Sequence, residues 1–517
     1  MDLDDVYVQI GEFGVQQKIY FLSLGLFNLY APLHLVQTVF TGQQPHFTCI
    51  LSNGSAVNNT CPENLLSNCD HVQFTHLPDS YARQWSLICD EAYKSKLVQS
   101  FFMAGVGIGA VILGAVADRI GRRKTLVGTL MGMIIFGIAS SFVPWYWGYI
   151  VLRFCVGFFA AGNILSSFVL SSELIGPSKR GIAGNIFQVF FAFGIVILSL
   201  LAYAFTNWRI LSAAATSIGI LYFFLFIMLP ESPRWLINHQ RIREAKHILR
   251  TMADRNGMIF PSDLEINLPP PNAHRGHLCD LFRRRKTTVS TLVQLYSWFV
   301  NSVVYYGLTL ASDKLGSNIY VSTMLSGIVE LPAYFITALL IDWLGRRLPL
   351  SIFMVIGGIS CILIEVINHP EVIFILALVG KLCIAASFAI IYIHSFTTFS
   401  AELFPTVIRN SGLGLCSLFA RVGGIVAPFI SLADSVETSL QFTIFGILSL
   451  SSGLLNLLLE ETLNRTLPET LDDLKGESNL RNVRGRYARL ASDELEQSEE
   501  ETNDSSEIYK SSHMLAT

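Results

Sequence analysis

The chain has 517 residues, 51% of them hydrophobic and 15% charged, with a mean hydropathy of +0.48. That composition excludes a water-soluble globular protein, in which about a quarter of residues are charged. The formal net charge of −3 excludes nothing by itself, because the two signs are unevenly placed along the chain. A bilayer core about 30 Å thick needs roughly 20 apolar residues per helical span. Twelve such windows follow in chain order, at 19–40, 98–117, 126–143, 148–170, 183–205, 210–229, 289–310, 320–341, 350–367, 372–395, 412–432 and 440–459. The first, preceded by residues 1–18, is too long and too poor in small residues at its end for a removable signal peptide. It is expected to remain as a membrane helix.

Residues 41–96 separate the first two windows and carry Cys49, Cys61, Cys69 and Cys89 beside glycosylation sequons at Asn53 and Asn58. Four cysteines next to sequons predict a disulfide-tied, glycosylated outer loop, with all three pairings open. The other five cysteines read as packing residues. The connection 230–288 carries eleven Lys/Arg, and the other even-to-odd connections hold DRIGRRK, SKR, DWLGRR and IRN. The positive-inside rule puts these on the cytoplasmic side and both termini with them. An amphipathic helix from Arg241 is expected along that face. The run RRRK at 283–286 reads as a juxtamembrane anchor beside anionic lipid rather than a nucleic-acid site. The tail 460–517 is acidic and polar and is expected to be mostly disordered.

Two halves of the chain overlay. Asp118, Arg119, Arg122 and Arg123 of DRIGRR match DWLGRR, which supplies Asp342, Arg346 and Arg347. Glu173 and Arg180, seven apart, match Glu402 and Arg409, and the PESPR carrying Glu231 and Arg234 is echoed at Glu461. The domain reading is therefore a six-helix bundle at 19–229, the cytoplasmic loop 230–288 and a second six-helix bundle at 289–459. The charged landmarks are expected to form a cytoplasmic latch: ion pairs and cap contacts between the bundles that close and break as the bundles rock.

Polar side chains inside the windows need a reason, and a substrate site near the midplane supplies one. Arg421 lies about ten residues into the eleventh window, Glu330 midway along the eighth and Lys381 within the tenth. For Glu330, an internal ion pair with Lys381 or Arg421 competes with substrate contact. Asn28, Asn163 and Gln188 read either as ligands or as interhelical hydrogen bonds. Trp298 and Tyr305 fall two turns apart on one helix face, with Tyr306 adjacent. Such a face either packs or holds a quaternary ammonium by cation–π attraction.

The duplicated DRxGRR, PESPRWL, ELFPTVIRN, WFVNSVVYYGLTL, VELPAY and RNSGLGLCSLFARVGGIVAPF together resemble the major facilitator superfamily. Within it they resemble the organic cation, organic anion and carnitine transporter branch, solute carrier family 22, over nearly the whole chain from Tyr7 to Leu474. The resemblance implies an all-α membrane protein of twelve helices in two bundles, with Trp298, Tyr305 and Glu330 lining a central pocket. Members selective for cations carry Asp where this chain has Arg421, whereas the anion and carnitine branches carry Arg. The anion branch has Lys where this chain has Tyr334, which turns the reading toward carnitine-, betaine- or ergothioneine-like zwitterions. The stretch 394–399 is about five residues longer than the family pattern.

The sequence therefore predicts a secondary-active or facilitative carrier working by alternating access, functional as a monomer in the plasma membrane, with no cofactor, no bound metal and no covalent chemistry. Sodium or proton coupling stays open. No GxxxxGK[ST] loop for ATP is found. The rivals are an organic anion transporter and, from another class, a non-transporting ligand sensor on a transporter scaffold.

Overall fold

The computed structural model describes residues 3–51, 56–58, 69–74, 79–260, 281–282, 285–313, 318–367, 369–392, 409–432, 440–459 and 461. A short helix α1 (Leu3–Gln9) precedes α2 (Val15–Leu35) and the helical turn α3 (Thr38–Thr41). The connection 41–96 holds β1 (Phe47–Leu51), β2 (Ala56–Asn58), β3 (Cys69–Phe74) and α4 (Tyr81–Gln84). The first half continues as α5 (Ala92–Ile120), α6 (Arg122–Phe142), α7 (Tyr146–Glu173), α8 (Arg180–Ala204) and α9 (Trp208–Leu221), the last tightening into a 3-10 turn. Two short helices of the connection between the halves follow, α10 (Pro233–Asn238) and α11 (Ile242–Asn256). The second half comprises α12 (Arg285–Leu310), α13 (Ile319–Leu344), α14 (Arg347–Val366), α15 (Pro370–Tyr392), α16 (Arg409–Ile430) and α17 (Leu440–Asn456).

Every predicted window is occupied by helix. Among the described residues nine helices are long and apolar enough to cross a membrane, and two shorter apolar helices cover Gly414–Ile430 and Leu440–Asn456. The remaining window falls on α12, which is 26 residues long and more polar. Its Gln294, Ser297, Asn301 and Ser302 are buried within the second half, where the Ser297 hydroxyl donates to Asn456 Oδ1 at 2.6 Å.

Local chemistry sets the helix starts. The Asn207 and Asn318 side chains accept from the first free amides of α9 and α13, and Ser232 caps α10, with Pro233 at its first position. Gly257, left-handed at φ +71°, ends α11. Buried Ala245, Leu249, Met252 and Ala253 give α11 the amphipathic face expected of it.

The outer loop is better structured than the sequence suggested. It forms a three-stranded antiparallel sheet in the order β2-β1-β3, with Cys49 opposite Val57 and Val72. Cys49 and Cys89 are both disulfide-bonded. Tyr81 and Trp85 dock this region onto Tyr149 and Trp208 at the outer ends of α7 and α9. Asn53, Cys61, Glu402, the stretch 394–399, Arg283 and Arg284 of RRRK, and the tail from 462 lie outside the described residues. So do the side chains of Asn58, Cys69, Lys286, Asp342 and Arg409.

The two halves meet along two helix pairs. On the α5–α16 seam a methyl group added to Gly424 would lie 3.3 Å from Met103 Sδ, and the Ser100 hydroxyl donates to the Ile425 carbonyl at 2.8 Å. On the α8–α13 seam Gly327 lies against Ile195 and the Ala192 carbonyl. Small residues allow this close approach where no hydrophobic effect drives helices together. Phe40 of the first half also stacks on Tyr320 of the second, with ring centroids 5.7 Å apart.

Candidate substrate cavity and charged network

The duplicated motif builds the same turn twice. Gly121 and Gly345 adopt φ of +109° and +83°, a region that any side chain would strain. The turns present the first amides of α6 and α14 to a carboxylate. Glu231 Oε1 accepts from the amides of Arg122 (2.9 Å) and Arg123 (3.0 Å). Glu461 accepts from those of Arg346 (3.0 Å) and Arg347 (3.1 Å). An anion at a helix N-terminus is favoured by free N–H groups and by the helix dipole. A Cβ on either glycine would lie 2.3 Å and 2.6 Å, respectively, from the capping carboxylate.

The charged side chains make further pairs inside the first half. Arg122 grips Glu173 with Nε and NH2 at 3.1 and 3.2 Å and reaches exposed Asp118 at 3.0 Å. Arg123 donates to the Phe226 carbonyl at 2.8 Å, while Arg119 is exposed. Arg180 and Arg234 converge on one carboxylate, Asp4 of α1, each at 2.7 Å. Burial by itself would raise the Asp4 carboxyl, but the two guanidinium groups outweigh it and hold the acid below its usual range. Tyr7, fully buried on the same helix, donates to the Glu173 carbonyl at 2.8 Å, and burial pushes its phenol up. These pairs join residues of the first half to one another; Glu402 and the side chains of Asp342 and Arg409, which the expected latch between the halves would use, lie outside the described residues.

A central cavity of ≈ 70 Å³ lies between the halves. The first half contributes Asn28, Gln188 and the rings of Phe168, Phe187 and Phe191; the second contributes Tyr305, Tyr306, Tyr334, Phe388 and Arg421. Arg421 packs across the seam against Gly107 of α5, its Nε is buried, and among the described residues that nitrogen has no hydrogen-bond partner. Asn28 is anchored by donating to the Phe187 carbonyl at 2.8 Å.

Glu330 and Lys381 lie behind this wall, 0% and 2% exposed and 3.0 Å apart. Tyr305 donates to Glu330 Oε1 at 2.7 Å and Tyr334 to Oε2 at 2.9 Å. Lys381 donates to Thr309 Oγ1 at 2.6 Å and lies 3.3 Å from the centre of the Tyr305 ring. The cluster balances its charge internally and fixes two of the tyrosines that face the cavity. Asn163 points elsewhere, donating to the Phe27 carbonyl at 2.9 Å. Trp298, 3% exposed, packs in the core outside the cavity lining.

Several residues at the site went unread in the sequence. The phenylalanine wall gave no signal, because a ring in an apolar helix suits lipid, core or cavity equally. Arg153, 1% exposed, ties α7 to α2 by donating to Gln37 Oε1 (2.9 Å) and the His34 carbonyl (2.8 Å), with its guanidinium over the Phe102 ring. A lone basic residue within the fourth window was the available cue.

Comparison with known proteins agrees with this geometry. The family described as Sugar (and other) transporter matches residues 51–472. The chain is 37% identical over 486 residues to the solute carrier family 22 member 15-like protein of Xenopus tropicalis, covering 92% of this chain and 96% of that one. It is 35% identical over 524 residues to the organic cation transporter protein of Drosophila melanogaster, covering 92% and 94%. It is 38% identical over 399 residues to human solute carrier family 22 member 13, covering 77% and 72%. Its fold matches the inward open conformation of the xylose transporter XylE from E. coli with a TM-score of 0.62 at 16% identity, over 89% of this chain and 98% of that one. It also matches XylE, the proton:xylose symporter, bound to 6-bromo-6-deoxy-D-glucose, with a TM-score of 0.60 at 17% identity, over 88% and 99%. These relatives are transporters and not enzymes. The chain belongs to solute carrier family 22 of the major facilitator superfamily, and it is a multi-pass membrane transporter for small organic solutes.

Proposed function

We propose that this transporter carries small organic ions bearing a carboxylate, with zwitterions of the carnitine, betaine or ergothioneine kind as its leading substrates. The observation that carries the reading is the cationic lining of the cavity: Arg421 faces it, while Glu330 and Lys381 neutralise each other behind it. A guanidinium holds a carboxylate in two parallel hydrogen bonds, and the Tyr305, Tyr306 and Phe388 rings offer a quaternary ammonium an aromatic surface. On this reading the ammonium end meets rings rather than Glu330 itself.

Twelve spans in two bundles, alternating access and cytoplasmic termini complete the reading. Its support is the helix in every window, the repeated glycine–carboxylate turns, and an outer mouth closed by Phe40 on Tyr320. The disulfide-tied outer loop, glycosylation at Asn53 and Asn58 and a plasma-membrane location belong to the same proposal, supported by the bonded Cys49 and Cys89. So do function as a monomer and coupling, if any, to sodium or protons.

The sealed Glu330 favours a second reading, a carrier of simple organic anions, since among the described residues no carboxylate then lines the cavity. Uptake into expressing cells of 4-trimethylammoniobutyrate, tetramethylammonium and butyrate, each with and without sodium, separates the two. Preference for the first compound supports the zwitterion reading. Preference for butyrate establishes the anion carrier, and uptake of tetramethylammonium alone rejects both.

A further inference from the structure

A second cavity of ≈ 230 Å³ opens on the cytoplasmic side of the first half, between α7 and α8. Ser171, Ser172, Glu173, Arg180 and Arg234 give it polar walls, and Phe168 and Phe187 close its inner end. The same two rings line the central cavity, so they form the partition between the two spaces. They meet edge to face, with centroids 5.7 Å apart. A solute leaving the central cavity past this partition therefore enters a space that carries two guanidinium groups.

Those guanidinium groups already hold a carboxylate. Asp4 Oδ1 lies 2.7 Å from both Arg180 NH2 and Arg234 NH2, and Oδ2 lies 3.4 Å from Arg180 NH1. Arg180 is oriented for this by its Nε, which donates to the Ser172 and Ile175 carbonyls at 3.1 and 3.0 Å. A fixed guanidinium joined by a second, half-exposed one is a recognition geometry for any carboxylate that reaches it. Asp4 reaches it from a seven-residue helix at the start of the chain, held by buried Leu3, Val6 and Tyr7.

We propose that Arg180 and Arg234 form a carboxylate-binding exit subsite in this cytoplasmic vestibule, and that Asp4 is its built-in competing ligand. The inference extends the carboxylate reading of the central cavity to a second station. Substrate released past Phe168 and Phe187 exchanges with Asp4 before leaving, and Asp4 keeps the subsite weak so that release is not trapped. A substrate lacking a carboxylate passes without engaging it.

The test places a reporter in the vestibule, Ser172→Cys, with Cys155 replaced by serine, in inside-out membrane vesicles. The readout is the rate at which a charged methanethiosulfonate reagent modifies Cys at that position from the cytoplasmic side. 4-Trimethylammoniobutyrate slows modification, and Asp4→Asn lowers its half-protecting concentration by at least about five-fold, because a competing ligand has been removed. Arg234→Gln abolishes that gain, and tetramethylammonium protects neither form. Asp4→Asn keeps the side-chain shape, so α1 stays docked; Asp4→Ala provides a second variant. An unchanged half-protecting concentration in both Asp4 variants, or a gain that survives Arg234→Gln, overturns the proposal. Arg421→Gln leaves vestibule protection intact while removing uptake, so failure at the central cavity and failure here are told apart.

Discussion

Glu330 and Lys381 face each other at 3.0 Å inside the second half, and neither lines the cavity between the halves. Four protein groups surround the pair: the Tyr305 and Tyr334 hydroxyls on the acid, Thr309 and the Tyr305 ring on the base. A buried pair so completely satisfied serves as architecture. It orients two cavity tyrosines and leaves Arg421 as the charged side chain lining the cavity among the described residues.

Removing one partner strands the other in a low-dielectric interior. Glu330→Gln or Lys381→Met alone should cost about 3–5 kcal/mol of stability, whereas the double replacement Glu330→Leu, Lys381→Met should recover much of it. Thermal unfolding of the purified protein in detergent reads this directly. A double variant no more stable than the singles would refute the pairing. One that is stable yet inactive would assign Glu330 a direct part in transport.

The twin turns predict matched losses. Gly121→Ala and Gly345→Ala each force a side chain into a left-handed backbone and against a capping carboxylate, at about 1–2 kcal/mol or more. Glu231→Gln and Glu461→Gln keep an acceptor oxygen but lose the charge, a smaller effect of about 0.3–1 kcal/mol. Melting temperatures should fall in that order in both halves. A half in which glutamine is worse than alanine at the glycine would break the proposed equivalence.

Within the first-half network, burial separates the two partners of Arg122. The Glu173 side chain is 13% exposed and the Asp118 side chain 73%. An exposed i,i+4 pair contributes about 0.3–0.5 kcal/mol, so Asp118→Asn should change little. Glu173→Gln should slow maximal uptake per surface molecule by considerably more. Equal effects would show that Asp118 acts through contacts made in another conformation, as a latch between the bundles requires.

Asp4 supplies a pH prediction. Its folded-state pKa is depressed, so its contribution is fully present above the ordinary carboxylate value and is lost only as pH falls through the lower folded value. The Asp4 contact is therefore constant from pH 6 to pH 8. The ratio of half-protecting concentrations between the native chain and Asp4→Asn in the vestibule assay should be flat over that interval. A ratio that drifts across it would mean that another group governs the contact.

The architecture was legible because lipid imposes harsh rules. Windows such as 98–117 and 350–367 can only be helices, and the copied glycine and arginines at 121–123 and 345–347 announced a duplicated turn whose capping acids the structure supplies. Arg421 was legible as a costly charge in mid-span. Less legible was what satisfied the other charges. Asp4 is one acid in a short polar segment, and nothing in its spacing ties it to Arg180 or Arg234 more than 170 residues away. The sheet within 47–74 was hidden because its strands are only three to six residues long, and Phe168 and Phe187 by their likeness to lipid-facing rings.

In the proposed function, Arg421 receives the substrate's carboxylate. The most direct test is uptake of 4-trimethylammoniobutyrate and of tetramethylammonium by the native chain and by Arg421→Gln, normalised to protein at the cell surface. The variant should reach the surface normally and lose at least about ten-fold in uptake of the carboxylate compound, with no loss for tetramethylammonium. Unchanged uptake of the carboxylate compound by Arg421→Gln would contradict that role.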